Sequence, residues 1–507
     1  MTHMLIKNLL SLEGQTVTLK GWLSNSRESK GVVFLIMRDG TGMVQCVASE
    51  ERLGPDNFAV AQSLTQESSF EVVGKVTKDE RQIGGVEVQV EGIKAIHVAE
   101  EYPISNKPHG IEFLMDNRHL WLRHRRPWAT MRVRNQIIHS IHNFFQKEGF
   151  IHTDTPIFTG NAVEGTSTLF ETDFYGQPAY LAQSGQLYGE ALAMALGKIY
   201  TFGPTFRAEK SKTRRHLSEF WMIEPEMAFF DLEMNMDLIE RFIQYVVADV
   251  LAKCKDELTV LERDTTSLEK VSKPFARITY DEAVKIIRGE QHVGGRTSLD
   301  LLQQELDGIK ARIAEYEKEI GEREEKVKAG GMKKGEVNFN QNKIDQLKNE
   351  VDELNIKAGN IPQWIESAKN FQHGNDFGGS DETAITRLFE TPVMVYNWPA
   401  EIKAFYMKRV EGNDKYVKGV DVLAPEGFGE IVGGSEREND KEELVQRIKE
   451  HNLPMEAFEW YIDLRRFGSV PHAGFGLGLE RFVSWICGLQ HVRETIPFPR
   501  MYGRLFP

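Results

Sequence analysis

The sequence predicts an α+β protein in which a small closed β-barrel leads a larger mixed domain, itself interrupted by a helical hairpin. Three patterns carry that prediction. Residues 15 to 99 alternate apolar and polar side chains in five short runs, residues 131 to 148 space their apolar side chains as a helix does, and residues 289 to 372 carry two heptad seams.

The barrel runs are TVTLKGWL, GVVFLIMRD, GMVQCVAS, SFEVVGKVT and GVEVQVEGIKAIHVA, most of them separated by Gly-bearing turns, with one helical stretch near residues 57 to 66. Five strands in roughly a hundred residues suggest a barrel of the OB type. Such a barrel commonly binds single-stranded nucleic acid by stacking bases on aromatic side chains. Phe34 and Gln45, on neighbouring strands, are the candidate contacts, although Phe34 also fits an inward core position. We assign residues 1–101 to the barrel domain and 102–120 to a hinge, because YPISNKPHGIEF holds two prolines and little periodicity. Residues 121–507 form the second domain, interrupted at 289–372.

In that domain Met131 to Glu148 sets Val133, Ile137, Ile141, Phe144 and Phe145 on one helical face and stops at Gly149. In the insert, Leu302, Leu306, Ile309, Ile313, Tyr316 and Ile320 step by four and three. Ile344, Leu347, Val351, Leu354, Ala358 and Ile361 step by three and four. Ser298 is the expected cap of the first helix. Seams of only two to three heptads predict an antiparallel hairpin rather than a long intermolecular coiled coil.

At 507 residues the chain exceeds one ordinary hydrophobic core, and 41% hydrophobic with 27% charged residues is a globular composition. No apolar run reaches a membrane span, and MTHMLIKNLLSLEGQ has neither a signal-peptide core nor an Arg-rich transit character, so a soluble, cytoplasmic protein is expected. Cys46, Cys254 and Cys487 are odd in number and far apart, which predicts reduced core thiols. A net charge of −13 excludes a surface coated for nucleic acid and leaves only local basic patches. Two exist: Arg118 to Arg134, with six arginines, and KSKTRR at Lys210 to Arg215. Each reads equally well as a phosphate-binding patch or as a face of internal salt bridges.

Three further segments carry chemistry together. They are FQKEGFIHTDTPIFTG, FRAEKSKTRRHLSEFWMIEPEM and HAGFGLGLERFVSWI. An Arg beside a basic loop suits a polyphosphate, because a guanidinium holds phosphate oxygens in a bidentate, charge-assisted way. Phe220 and Arg481 are placed to sandwich a flat base. The Gly-rich run alone says little, since it matches neither a Walker loop nor a dinucleotide fingerprint.

In order and spacing these segments resemble the three signature motifs of class II aminoacyl-tRNA synthetases, in the subgroup that handles Asp, Asn and Lys. The resemblance covers nearly the whole chain except the insert. It implies an OB-fold anticodon-binding barrel, a catalytic antiparallel sheet flanked by helices, and a homodimer joined largely through the first motif. It further implies that Arg207 bridges the ATP α-phosphate and the substrate carboxylate, that Glu209 touches the adenine side, and that Phe220 stacks on adenine. His216 and Arg481 would hold the outer phosphates, with Gly476 and Gly478 beside the nucleotide. Asp421 and Glu430, in VDVLAPEGFGEIVGG, match the acids that bind Mg²⁺. Arg207, Arg481 and Glu430 are the expected catalytic residues, acting by positioning and electrostatics.

The resemblance also implies that Glu164, Ser184 and Gln186 hold the substrate's α-amino group. Asparagine and aspartate differ little in size, so charge decides between them. Aspartyl relatives have a Lys at Gly189 and an Asp at Glu224. Here Glu224 would accept from a side-chain amide while repelling a carboxylate, and Arg437 would donate to the amide oxygen. NWPAEIKAFYM also follows the asparagine pattern. The expected substrates are ATP, L-asparagine and tRNA(Asn); an enzyme for aspartate is the alternative. On the tRNA side, Phe34 would stack on the central anticodon uridine with Arg27 and Gln45 nearby.

Overall fold

The computed structural model describes residues 4–105, 107–160 and 169–507. The chain divides into two compact units, one reaching Arg123 and the other spanning His124–Phe506.

In the first unit β1 (Thr16–Ser29), β2 (Val32–Arg38), β3 (Met43–Ser49), helix α1 (Glu50–Ser63), β4 (Ser69–Lys78) and β5 (Val86–His97) form a closed barrel in the order β1-β2-β3-β5-β4. The period-2 pattern explains it. Val33, Leu35 and Met37 of β2 and Val44, Cys46 and Ala48 of β3 point into one buried cluster, while Phe34 and Gln45 fall on the outward alternation. Gly21 lets β1 pass tightly over β2, since a Cβ there would stand 2.3 Å from the Arg38 carbonyl oxygen. Helix α1 begins earlier than the sequence suggests and kinks at Gly54, whose φ of 71° precedes Pro55. The expected hinge holds two short helices, α2 (Ile111–Asp116) and α3 (Arg118–Trp121), whose Met115 and Trp121 pack with Ile104. Runs of four and six residues are too short to show a helical period.

The second unit opens with α4 (Arg125–Lys147), β6 (Ile151–Thr153), the short strands β7 (Phe158–Thr159), β8 (Glu171–Phe174) and β9 (Gln177–Leu181), helix α5 (Gln186–Leu196), and the long pair β10 (Lys198–Phe206) and β11 (Glu219–Ala228). After α6 (Leu232–Lys253), α7 (Lys255–Val260), α8 (Thr266–Glu269), β12 (Ala276–Thr279) and α9 (Tyr280–Ile287) come the hairpin helices α10 (Ser298–Ala329) and α11 (Lys334–Lys369). The chain returns through α12 (Gly379–Thr386), β13 (Val393–Pro399), β14 (Arg409–Val410), β15 (Asn413–Ala424), β16 (Gly429–Glu436), α13 (Lys441–Glu450), α14 (Glu459–Arg466), β17 (His472–Gly478) and α15 (Leu479–Cys487).

Among the described residues this unit holds a nine-stranded sheet, ordered β12-β13-β15-β16-β17-β11-β10-β6 with β14 beside β15. It is antiparallel through its centre; only the edge pairs β6 with β10 and β12 with β13 run parallel. Helices α4 and α6 cover one face, where Ile137, Ile141, Phe145, Phe242 and Val246 meet Ile223, Val432 and Leu477. That face is apolar. The opposite face carries the polar side chains.

The hairpin matches the two seams. Leu302, Leu306 and Ile309 pack on Ile361, and Ile320 packs on Ile344, Leu347 and Val351. Its cap differs from expectation: Thr297 is the N-cap, accepting from Asp300 N, while the Ser298 hydroxyl donates to the Ile286 carbonyl at 2.6 Å. Thr and Ser are equivalent caps in sequence terms, and the neighbouring carbonyl decided between them.

Candidate active site

Strand alternation builds the site. On β11, Ile223 and Met227 face the apolar core, so Phe220, Met222, Glu224 and Glu226 face the other way into a cavity of about 650 Å³. The Gly-rich run is strand β17, and its glycines clear the cavity floor. A Cβ on Gly476 would stand 2.5 Å from Met222 Cε, and one on Gly474 would stand 2.3 Å from the Glu226 carboxylate. Gly478 lines the same cavity.

At one end of the cavity stand Arg207, His216, Phe220 and Arg481. The Arg207 guanidinium lies 5.5 Å from the centre of the Phe220 ring. Arg481 donates to the Glu430 carbonyl at 3.1 Å and approaches its carboxylate at 3.4 Å. His216 Nδ1 meets Thr213 Oγ1 and Ser211 Oγ, and its Nε2 is 3.9 Å from Glu209. Burial, then the Arg481 charge, lowers the His216 pKa and favours the neutral ring. Glu209 itself does not line the cavity. Arg215 of the basic loop is committed, pairing with Glu382 at 2.5 Å and donating to the Gly427 carbonyl, whereas Lys210, Lys212 and Arg214 are exposed.

Asp421 and Glu430 converge. Asp421 Oδ2 is held by Lys403 at 2.6 Å, and Glu430 Oε2 lies 3.4 Å from Arg481, which leaves one oxygen on each. A methyl placed on Gly433 would stand 3.1 Å from Glu430 Oε1 and 3.6 Å from Asp421 Oδ1, so both remaining oxygens face one spot. Burial raises the Asp421 carboxyl to about 7 against the pull of Lys403, with Glu430 adding to the rise. Burial also opposes ionisation of Glu430, but Arg481, Lys403 and Arg207 outweigh it and lower its pKa. Two carboxylate oxygens aimed at one point fit a hard cation whose other ligands come from phosphate and water. Among the described residues no group of three or more His, Cys, Asp or Glu could hold a metal ion by itself.

The other end of the cavity holds Ser184, Gln186, Glu224 and Arg437. Glu224 accepts from the Ser184 hydroxyl, from Gly185 N at 2.8 Å and from Thr201 Oγ1 at 3.4 Å; burial raises its pKa despite these bonds. Arg437 is buried and committed. It grips Glu226 through Nη2 at 2.5 Å and Nε at 3.2 Å, donates to Ser435 Oγ at 2.8 Å and stacks over Tyr406. Burial pushes the Glu226 carboxyl up to about 8 in spite of Arg437. Gly189 backs onto the same pair, since a Cβ there would stand 3.3 Å from Glu226 Cγ. Glu226 and Lys403 have structural roles that the sequence reading missed; the two-residue spacing from Glu224 on a strand was the signal for Glu226. Glu164 lies outside the described residues.

On the barrel, Arg27 and Phe34 are paired across β1 and β2, with the guanidinium 4.9 Å from the ring centre. They line a shallow groove with Gln45, whose Nε2 donates to Glu87 at 3.1 Å. Phe34 is therefore a surface residue and not part of the barrel core. Four of the six arginines of the first basic patch are taken up by internal partners, while Arg125 and Arg126 are exposed. Arg118 is buried over Trp121, Arg123 pairs with Glu67, Arg132 with Glu257, and Arg134 with Glu480 at 2.8 Å. The three cysteines are buried and free.

Comparison with known proteins gives the same picture. The model for tRNA synthetases class II (D, K and N) matches residues 110–502, and that for the OB-fold nucleic acid binding domain matches residues 17–96. The asparagine–tRNA ligase of Sorangium cellulosum is 50% identical over 97% of this chain and 96% of its own length, and that of Koribacter versatilis is 47% identical over 98% and 97%. The asparaginyl-tRNA synthetase of Pyrococcus horikoshii, solved with asparaginyl-adenylate, superposes with a TM-score of 0.81 at 36% identity and 100% coverage of both chains. The chain belongs to the class II tRNA synthetases of the D, K and N group, and within them to the asparagine–tRNA ligases.

Proposed function

We propose that this chain activates L-asparagine with ATP in the cavity between Arg437 and Arg481 and transfers it to tRNA(Asn), with Phe34, Arg27 and Gln45 of the barrel contacting the anticodon. What carries the reading is one cavity that holds both a phosphate-type end and an amide-type end.

In the first step the substrate carboxylate attacks the α-phosphorus, the bond to the bridging oxygen breaks, and pyrophosphate leaves with asparaginyl-adenylate as product. Arg207 spans the carboxylate and the α-phosphate, drawing two anions together and stabilising the charge that develops between them. Phe220 provides a face for adenine, and Arg481 meets the outer phosphates. Mg²⁺ held by Asp421 and Glu430 would supply charge neutralisation of the phosphate oxygens. In the second step a ribose hydroxyl of the terminal adenosine attacks the acyl carbon and AMP departs.

Side-chain choice follows from charge. The substrate amide meets a carboxylate acceptor at Glu224 and a guanidinium donor at Arg437, whereas an aspartate carboxylate would face Glu224 at close range with only a shared Arg437 to balance it. Exposed Ile151, Ile157 and Phe158 support a second copy of the chain against this region, and a homodimer is part of the proposal. Among the described residues no helix is long and apolar enough to cross a membrane.

The test is aminoacylation of a tRNA(Asn) transcript with radiolabelled amino acids. Acid-stable label from asparagine and background label from aspartate are expected; charging with aspartate alone would overturn the proposal.

A further inference from the structure

Behind the amino-acid end of the cavity lies a set of buried polar side chains that the activation chemistry does not use. Glu190, on α5 one turn beyond Gln186, has no exposed surface. Its Oε1 accepts from Gln186 Nε2 at 3.1 Å and from the Tyr461 hydroxyl at 2.8 Å. Its Oε2 accepts from Arg465 Nη2 at 2.8 Å and stands 3.0 Å from His472 Nε2. Tyr461 and Arg465 are one turn apart on α14, and His472 opens β17, so a single carboxylate joins three elements. Arg465 is fixed in turn by its bond to the Glu438 carbonyl at 2.8 Å, and His472 Nδ1 lies 2.8 Å from the Val470 carbonyl. Burial alone would favour the neutral acid, but Arg465 and His472 hold the Glu190 pKa below the ordinary carboxylate value.

An ionised carboxylate only accepts hydrogen bonds, so it dictates which end of the Gln186 amide turns toward it. The NH₂ group is bound to Glu190, which leaves the carbonyl oxygen as the end available on the cavity side, where Gln186 is part of the lining. The flipped amide would press its carbonyl against the carboxylate and offer NH₂ to the substrate. Such an arrangement would repel an ammonium group.

We infer that Glu190 is a positioning residue for amino-acid binding: it locks the Gln186 amide so that the carbonyl oxygen receives the substrate's α-ammonium, and Tyr461, Arg465 and His472 hold Glu190 in place. The inference rests on the reading of Gln186 as an α-ammonium ligand. Because Glu190 touches neither ATP nor the reacting atoms in this scheme, its loss raises KM for asparagine and leaves KM for ATP in place.

A double-mutant cycle in asparagine-dependent pyrophosphate exchange tests this, using Gln186→Ala, Glu190→Gln and the double variant of the full-length chain. Each single substitution is expected to raise KM for asparagine by about tenfold or more, the scale of a lost hydrogen bond to a charged group. The double variant should match Gln186→Ala. Tyr461→Phe, which removes the hydroxyl shared between the two Glu190 oxygens and Arg465 but no charge, should raise KM for asparagine by a smaller factor and add nothing in the Gln186→Ala background. That milder variant keeps the test decisive if Glu190→Gln does not fold. Additive effects in the cycle, or equal rises in KM for ATP and asparagine, would overturn the positioning role while leaving Gln186 as a ligand. An unchanged KM in Gln186→Ala would overturn both readings.

Discussion

Glu224 already accepts hydrogen bonds from Ser184, Gly185 and Thr201, so its charge serves the protein as well as the substrate. In Glu224→Gln the amide oxygen can keep the Gly185 N–H while the NH₂ turns to the Ser184 hydroxyl, which then accepts instead of donating, so charge-assisted bonds give way to weaker neutral ones, at a cost of about 1–3 kcal/mol. We expect kcat/KM for asparagine to fall roughly tenfold to a hundredfold, and the preference over aspartate to shrink because the repelling charge is gone. Exchange kinetics with both amino acids check it; unaltered selectivity would remove Glu224 from the discrimination. Glu382 makes a pH prediction. Burial, against Arg215, pushes its carboxyl up to about 7 from the ordinary 4.5. Between those values the folded chain keeps a proton that the unfolded chain has released, so this group's contribution to stability is present below about 4.5 and is lost as pH rises to about 7. Urea midpoints measured across that window should decline more steeply in the native protein than in Glu382→Gln, and parallel slopes would contradict the assignment. At this scale the sequence revealed residue types better than their partners. Arg437 looked like a simple substrate ligand, yet its grip on Glu226 depends on strands β11 and β16, which are about two hundred residues apart in the chain.

Elements were legible wherever one physical period ran long enough. The alternation in VVFLIMR set the face of every residue on β2, and the heptads set the contacts between α10 and α11. What escaped was short or decided by tertiary neighbours: the two helices inside the expected hinge, the start of α1, and the choice of Thr297 over Ser298 as cap. The hairpin is tied to its base by Arg288, which donates to the Phe371 carbonyl at 2.9 Å and 2.7 Å, and by the Arg387 pair with Glu305 at 2.5 Å. Its seam residues pack on one another and not on the cavity. Replacing residues 298–369 by a short linker is therefore expected to leave asparagine activation within about threefold of the full chain, because no cavity residue is lost. Pyrophosphate exchange on the shortened protein measures this, and a loss of activation in a folded variant would assign the hairpin a part in the cavity.

At the scale of the whole molecule, the proposed anticodon contacts and the proposed activation site fall in separate units. The barrel carries Arg27, Phe34 and Gln45 on one outward groove, and the second unit carries the reacting cavity. Phe34→Ala removes a stacking platform worth about 1–3 kcal/mol per base and should raise KM for tRNA(Asn) by roughly tenfold or more. Exchange without tRNA should not change, and a change there would show that the substitution acts through folding. The architecture was readable in the sequence because its motifs lie on regular strands in fixed order; the contacts within the cavity were not, because they join strands that the sheet brings together. In the proposed function Glu224 and Arg437 select an amide over a carboxylate. Asparagine-dependent and aspartate-dependent pyrophosphate exchange, compared at matched concentrations, test it most directly. Exchange with asparagine should exceed that with aspartate by about 10³ or more, the scale of discrimination that a site built on hydrogen bonds and charge achieves. Equal or faster exchange with aspartate would contradict it.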